Sequence, residues 1–288
     1  MINLYDEVTI VIISHKSKKK VINLINQISI DLKKIVVENS SDKTIETDLS
    51  KLNNNIKLIF SQNNGYASAI NLARTKVTTK YFFVLNPDIQ KISDKLISIF
   101  CQSAKELKDN FGALGPRFEN VNEKSHKQSN INEKYGKIES ISGAAMFFCT
   151  EIFDKNGGFD ENFFLYFEEL DLCKSLINKG EKIYTSKKLK IHHLGFKSSF
   201  EESSEEKINM NILREWHWMW SSFYFYKKNY NYFVALRKMS GKFIKSLIKI
   251  FYYLITFQKV KKKKYLYRFL GILNAMIGRP SFFRLKDK

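Results

Sequence analysis

The sequence predicts an α/β fold, a doubly wound and mostly parallel sheet flanked by helices, followed by a basic helical appendage at the C-terminal end. Three observations carry this. Short, nearly continuous apolar runs alternate with longer segments of helical spacing through the first half of the chain. Each apolar run gives way to polar residues at its C-terminal end, and positive charge collects after residue 206.

The runs "VTIVII" (8–13), "KKIVVE" (33–38), "IKLIFS" (56–61) and "KYFFVL" (80–85) read as strands buried on both faces, the pattern of a parallel sheet. Between them, "KKKVINLINQISIDL" (18–32) and "ASAINLARTKV" (67–77) read as helices, giving βαβ units. In this topology ligands bind beyond the carboxyl ends of the strands. Those ends hold Ser14-His15, Glu38-Asn39-Ser40-Ser41, the loop Gln62-Asn63-Asn64-Gly65-Tyr66, and Asn86-Pro87-Asp88. A helix N-terminus suits a phosphate, a carboxylate suits ribose hydroxyls, and Asp88, held past a proline of fixed φ, suits a divalent cation. Asn-Pro-Asp is also ordinary turn chemistry. Together the four ends describe a nucleotide site.

Further on, Ser142-Gly143-Ala144-Ala145 permits close approach of backbone to ligand or neighbour, and a loop follows at Gly157-Gly158. "FFLYFEELDLCKSLINKG" (163–180) reads as a helix with Glu168, Glu169 and Asp171 in its first turn and a stop at Gly180. Acids at a helix start complement the macrodipole. Here the aromatic surround of Phe163, Phe164, Tyr166 and Phe167 would also desolvate a carboxylate and raise its pKa toward that of a general base. "KLKIHHLGFKSS" then puts His192 and His193 at a strand end, pointing to opposite faces.

At 288 residues the chain is long enough for one large domain plus an appendage, expected at 1–205 and 206–288. Cys101, Cys149 and Cys173 are odd in number and lack short paired spacing, and "MINLYDEVTI" has no basic region before an apolar core. A reduced, cytoplasmic protein is expected. The net charge of +19 is uneven: residues 207–288 carry 19 Lys and Arg against Glu215 and Asp287, leaving the body nearly neutral. This argues against reading the whole chain as a nucleic-acid binder, although a basic binding module remains the alternative from another class. A sugar-phosphate nucleotidyltransferase would want a glycine-rich loop after the first strand, and "ISHKSKKK" has no glycine.

The ordered blocks "VTIVIISHK", "IVVENSSD", "NNGYASAIN", "YFFVLNPD", "SGAAMFF", "GGFDENFFLYFEELDL" and "HHLG" resemble the family 2 glycosyltransferases of GT-A fold, in particular their rhamnosyltransferase-like branch. The resemblance spans about residues 8–230. It implies inverting transfer of a sugar, rhamnose among the candidates, from a nucleotide-diphosphate donor to a saccharide in bacterial surface polysaccharide synthesis. It implies that Ser14, His15, Glu38, Asn39, Asn64, Gly65, Asn86 and Asp88 hold the nucleotide sugar. Asp88 and His192 are expected on a divalent Mn²⁺ or Mg²⁺, with His193 as the other candidate. Glu169 is expected as the base, with Asp171 and Glu168 as rivals, and Gly143 and Glu168 on the acceptor side. Two departures stand out, because the family usually has Asp where Glu38 and Glu169 stand. His192 fits the spacing to Gly195, and Ser198 follows one position late.

In the appendage, "SSEEKINMNILREWHWMWSSFYFYKKNY" (203–230) reads as an aromatic helix opened by a Ser203–Glu206 capping box and packed on the body. "KFIKSLIKIFYYLITF" (242–257) places Lys242, Lys245 and Lys249 on one face, with Phe243, Leu247, Ile250 and Leu254 on another. Its apolar stretch is too short to span a bilayer. An anionic membrane surface bound through 242–268, on the inner face of the cell membrane, is expected instead, next to a glycan or polyprenyl-diphosphate-linked glycan acceptor. The plainer alternative is the solvated face of a helical hairpin.

Overall fold

The computed structural model describes residues 4–52, 55–119, 134–193 and 204–285. They form two compact units, Met1–Phe159 with Leu172–Phe200, and Asp160–Asp171 with Glu201–Lys288. The division does not follow chain order, because a segment from the middle of the chain belongs with the C-terminal helices.

The first unit runs α1 (Leu4–Glu7), β1 (Val8–Ser14), α2 (Lys18–Ile25), β2 (Lys33–Glu38), α3 (Thr44–Ser50), β3 (Ile56–Phe60), α4 (Tyr66–Arg74), β4 (Tyr81–Leu85), β5 (Ile89–Gln90) and α5 (Asp94–Glu106). It continues with β6 (Ala113–Phe118), β7 (Gly136–Lys137), β8 (Ala145–Cys149), α6 (Thr150–Asn156), most of α7 (Glu168–Asn178) and β9 (Ile183–His193). Strand order is β3-β2-β1-β4-β8-β6-β9-β5, with β7 also on β9. The pairs β3–β2, β2–β1, β1–β4 and β6–β9 are parallel, while β8 runs antiparallel to both β4 and β6.

Burial explains the continuous apolar runs. In β1, Val8, Ile10 and Ile12 enter one core layer with Val21, Leu24 and Ile25 of α2. Val11 and Ile13 enter the opposite layer with Ala67, Ala69, Ile70 and Ala73 of α4. Tyr81, Phe83 and Leu85 of β4 divide from Phe82 and Val84 in the same way. Strands covered on both faces have no polar side to alternate with, so α2 and α4 lie on opposite faces and the sheet is doubly wound. Helix α2 stops at Ile25, short of the predicted 32. Ser29 is drawn into a turn there, its N–H bonded to Asp94 and its hydroxyl accepting from the Asp31 N–H.

The second unit packs α8 (Ser204–Asn229), α9 (Tyr232–Ile255) and α10 (Lys259–Met276) around Trp216, Met219, Trp220, Phe223, Ala235, Met239, Ile272 and Ala275. The predicted capping box has its Ser203 outside the described residues. Helix α9 begins ten residues before the predicted 242, because Asn231 caps it by accepting from the Val234 N–H at 2.9 Å.

Gly271 lets α10 meet α8: a Cβ there would lie 2.4 Å from the Trp216 carbonyl oxygen and 3.2 Å from the Met219 Cβ. Gly271→Ala gains helix propensity but forces two backbones apart, so a net loss of about 1–3 kcal/mol is expected. All three tryptophans, Trp216, Trp218 and Trp220, lie in α8. Urea unfolding followed by tryptophan fluorescence therefore reads this unit alone, and an unchanged midpoint would contradict the expectation.

Candidate active site

In the first unit the strand ends knit together. Ser14 is in register with Glu38, and the Asn39 N–H donates to the Ser14 carbonyl at 2.8 Å. Glu38, almost wholly buried, accepts from the Lys16 N–H at 3.1 Å and from the Ser40 hydroxyl, both through Oε1. Lys16 has a left-handed φ of 51°. The methylene that distinguishes Glu from Asp thus bridges to the β1 loop. His15 Nδ1 lies 2.8 Å from the Asn39 carbonyl; an acceptor there requires Nδ1–H and turns the Nε2 lone pair outward in the neutral ring. The Asn39 amide donates to Asn63 Oδ1 and the Gly65 carbonyl, each at 3.2 Å, anchoring the loop that holds Asn64. Gly65, φ 107°, stands at the N-cap of α4, a conformation that glycine adopts without strain.

Tyr66, the first residue of α4, was not singled out by the sequence reading. Its hydroxyl lies 2.8 Å from both Asn86 Oδ1 and the Gly143 carbonyl, linking the β4 turn to the 142–145 segment. The signal was only a tyrosine after a glycine, with nothing to name its partners 20 and 77 residues away.

Asp88 is 2% exposed. Its turn is closed by the Ile89 N–H donating to the Asn86 carbonyl at 3.1 Å. Pairing of β5 with β9 then sets Ile89 opposite His193 and Gln90 opposite His192. This register brings His193 to Asp88, with Nε2 3.3 Å from Oδ1, and the His193 ring sits beside Phe118. Of the two histidines that the sequence left open, the register puts His193 rather than His192 on the side of Asp88, because adjacent strand residues face opposite ways. Gly195 and Ser198, used for the spacing, lie outside the described residues. Among the described residues no three His, Cys, Asp or Glu side chains converge as a metal cluster. A surface cavity of about 740 Å³, lined by Thr79, Lys80, Asp109 and Thr150, lies at the amino end of β4, opposite Asp88.

The acidic segment belongs to the second unit. Tyr166 and Phe167 have φ of 69° and 71°, consecutive left-handed residues that cost about 1–3 kcal/mol each and open straight into Glu168. Packing holds them there. Trp218 meets both rings, at 5.2 and 5.3 Å between centroids, and Phe225 also meets Phe167. The Ser221 hydroxyl donates to the Leu165 carbonyl at 2.9 Å. Phe164 meets the His217 ring, at 4.5 Å between centroids, and the Arg284 guanidinium lies over it at 3.5 Å. His217 donates to the Phe283 carbonyl and faces the Ser281 hydroxyl; burial pushes its pKa down to about 3, so the ring stays neutral.

The three acids in this turn differ. Asp171 has both oxygens engaged, one by Lys228 Nζ at 2.6 Å and the other by the Asn229 amide at 2.7 Å. Glu168 is 5% exposed, and its Oε2 has no hydrogen-bond partner among the described residues. Burial, then the charge of Glu169, pushes its pKa well above the usual carboxylate range. Glu169 is half-buried, and burial raises its pKa too, against the lowering effect of backbone N–H donors.

Residues 9–157 match the sequence profile of glycosyl transferase family 2. Over 193 residues the chain is 24% identical to the low-salt glycan biosynthesis hexosyltransferase Agl10 of Haloferax volcanii, the alignment covering 59% of this chain and 61% of that protein. The chain therefore spans less than two thirds of that relative's length. Among solved structures it is similar to the mannosyltransferase PcManGT from Pyrobaculum calidifontis in complex with GDP-Man and Mn²⁺, with TM-score 0.58, 12% identity, and coverage of 94% of this chain and 87% of that one. It is also similar to S. aureus TarS 1-349 in complex with UDP-GlcNAc, with TM-score 0.52, 11% identity, and coverage of 95% and 92%. At such identities the likeness is one of fold, the GT-A arrangement of a mixed, mostly parallel sheet flanked by helices.

Proposed function

The chain belongs to glycosyl transferase family 2, and from that premise we propose that it transfers a sugar, with inversion, from a nucleoside-diphosphate donor to a glycan hydroxyl. The observation that carries this reading is the buried Asp88 carboxylate, fixed at the tip of β4 with His193 Nε2 3.3 Å away, among the polar ends of β1, β2 and the α4 loop. Asp88 and His193, a carboxylate and an imidazole, would hold a divalent cation, Mn²⁺ or Mg²⁺, which would supply positive charge to offset the negative charge of the departing diphosphate. Ser14, His15, Asn39, Asn64, Gly65 and Asn86 are assigned to the nucleotide sugar, with Glu38 bracing the loops that present them.

Glu169 is assigned as the base and Asp171 as a strut, because both Asp171 oxygens are engaged. Glu169 takes the proton of the acceptor hydroxyl as that oxygen bonds to the anomeric carbon. The bond from that carbon to the diphosphate oxygen breaks with its electron pair, releasing the nucleoside diphosphate. Gly143 and Glu168 are assigned to the acceptor. Rhamnose as donor sugar, a polyprenyl-diphosphate-linked glycan as acceptor, and a place in bacterial surface polysaccharide synthesis complete the proposal. They follow from the sequence resemblance.

Calorimetric titration with UDP, dTDP and GDP, each with and without Mn²⁺, tests it. One nucleotide is expected to bind in the presence of metal, and Asp88→Ala to weaken that binding at least about tenfold. His193→Ala is expected to lower Mn²⁺ affinity about 10–100-fold, and His192→Ala to change it little. If no nucleotide binds and a random RNA does, the basic-module reading replaces this one.

A further inference from the structure

Of the face of α9 that the sequence offered to a membrane, Phe243 packs on the unit core and meets Phe269 at 4.8 Å, Leu247 and Ile250 are half-buried and Leu254 is exposed, while Ala235, Met239 and Ser246 are buried on the inner side of the helix. A second apolar stripe lies about a quarter turn round the same helix from Phe243 and about half a turn from the buried Ala235, Met239 and Ser246. Ile244, Ile248, Phe251 and Ile255 follow i, i+4, i+7, i+11 spacing and are all exposed, Phe251 at 63% and Ile255 at 75%. Phe257, 87% exposed, continues it into the turn before α10. No partner within the described chain covers this stripe, and it is larger than scattered surface apolars would give.

Its border is basic and aromatic. Lys245 lies beside it, and Lys249 sits over the Tyr252 and Tyr253 rings at 5.0 and 5.5 Å. Lys261 lies over Tyr253 from the other helix, and Lys259 and Lys263 are exposed nearby. Glu215, paired with Lys264 and Arg268, is the one acid between residues 207 and 286. None of the described helices is long and apolar enough to cross a membrane. A polyanion without an apolar phase would leave the stripe in water, and a second copy would bring like charges together. From this charge complementarity we infer that the solvent face of α9 and its turn into α10 dock on an anionic lipid bilayer. The apolar stripe enters the acyl boundary, and the lysines remain among the headgroups.

The test is co-sedimentation of the full chain with phosphatidylcholine vesicles, with and without about one third phosphatidylglycerol, at about 0.15 M salt. Binding to the anionic vesicles is expected to be at least about tenfold stronger than to the neutral ones. Phe251→Ser with Ile255→Ser is expected to reduce it at least about tenfold, with the fluorescence-detected unfolding midpoint kept because the stripe faces away from the core. Lys261→Gln with Lys263→Gln is expected to weaken binding to the anionic vesicles alone. The inference is overturned if the chain binds no vesicles, or if the serine variant binds as well as the parent. It is equally overturned if the parent sediments as a dimer that the serine variant dissociates, or if the chain prefers RNA and the serine variant keeps that preference. The readout needs neither nucleotide nor transfer, so it stands or fails independently of the catalytic proposal.

Discussion

Replacing Glu169 by Gln is expected to lower the transfer rate by about a thousandfold while nucleotide binding in the presence of metal stays within about twofold. Glutamine keeps the size and loses the proton acceptor, and Glu169 is the acid of the turn that is neither clamped like Asp171 nor as deeply buried as Glu168. The pH profile carries a second check. A base works deprotonated, and burial raises the Glu169 pKa, so the acid limb of the rate should lie at higher pH than for an exposed glutamate. Glu168 feels the charge of Glu169, whereas burial is what raises Glu169, so Glu169 loses its proton first and Glu168→Gln should leave the limb nearly in place. Stability follows the opposite sense. With folded-state values raised, the native chain holds more protons than the unfolded one above the ordinary carboxylate pKa, so stability falls as pH rises through that window. Glu169→Gln should flatten that fall. An unchanged rate would remove Glu169 from the chemistry.

The second large effect is expected at Lys228. Its ammonium lies 2.7 Å from Asp160 and 2.6 Å from Asp171, the two ends of the segment that carries Glu168 and Glu169. Lys228→Met leaves two partly buried carboxylates facing each other without their cation. The cost of such a break is several kcal/mol in a dry interior. Here solvent reaches more than a third of the lysine side chain, so about 2 kcal/mol is the expected loss. Burial opposes the charge on both partners; the bonds to Asp160 and Asp171 more than reverse it for Lys228, and those from Lys228 and Asn162 do so for Asp160, so Lys228 is raised and Asp160 lowered. The clamp is therefore complete between their ordinary values of 3.8 and 10.5. It is lost as pH falls through the lowered Asp160 value, or rises through the raised Lys228 value. Urea midpoints taken at neutral pH and at successively lower pH below 3.8 should show the gap between parent and variant narrowing; a constant gap would refute the ion pair as its source.

The first four strands were legible because burial on both faces leaves an unbroken apolar signature. The strand ends were legible because polar residues had no other reason to follow it. β8 was not read as a strand, since "AMFFC" carries no mark of running antiparallel between β4 and β6. His193 was not preferred over His192, because the choice depends on the β5–β9 register, which two residues of β5 set. The aromatics of α8 announced a packed helix. That Trp218, Ser221, Phe225 and Lys228 hold the acidic turn depends on contacts 50 residues or more apart in sequence, which spacing cannot show.

The placing of residues 160–171 with the C-terminal helices also fixes an order of events during synthesis. The segment leaves the ribosome well before its partners Tyr224, Lys228 and Asn229, which lie 64, 57 and 58 residues downstream of the groups they hold. Domains fold as they emerge, so the strand ends assigned to the nucleotide can assemble while the two glutamates still lack the frame that desolvates them. On the proposed assignment, a polypeptide interrupted before residue 224 would bind donor without turning it over, because the turn that carries Glu169 would still lack Tyr224, Lys228 and Asn229.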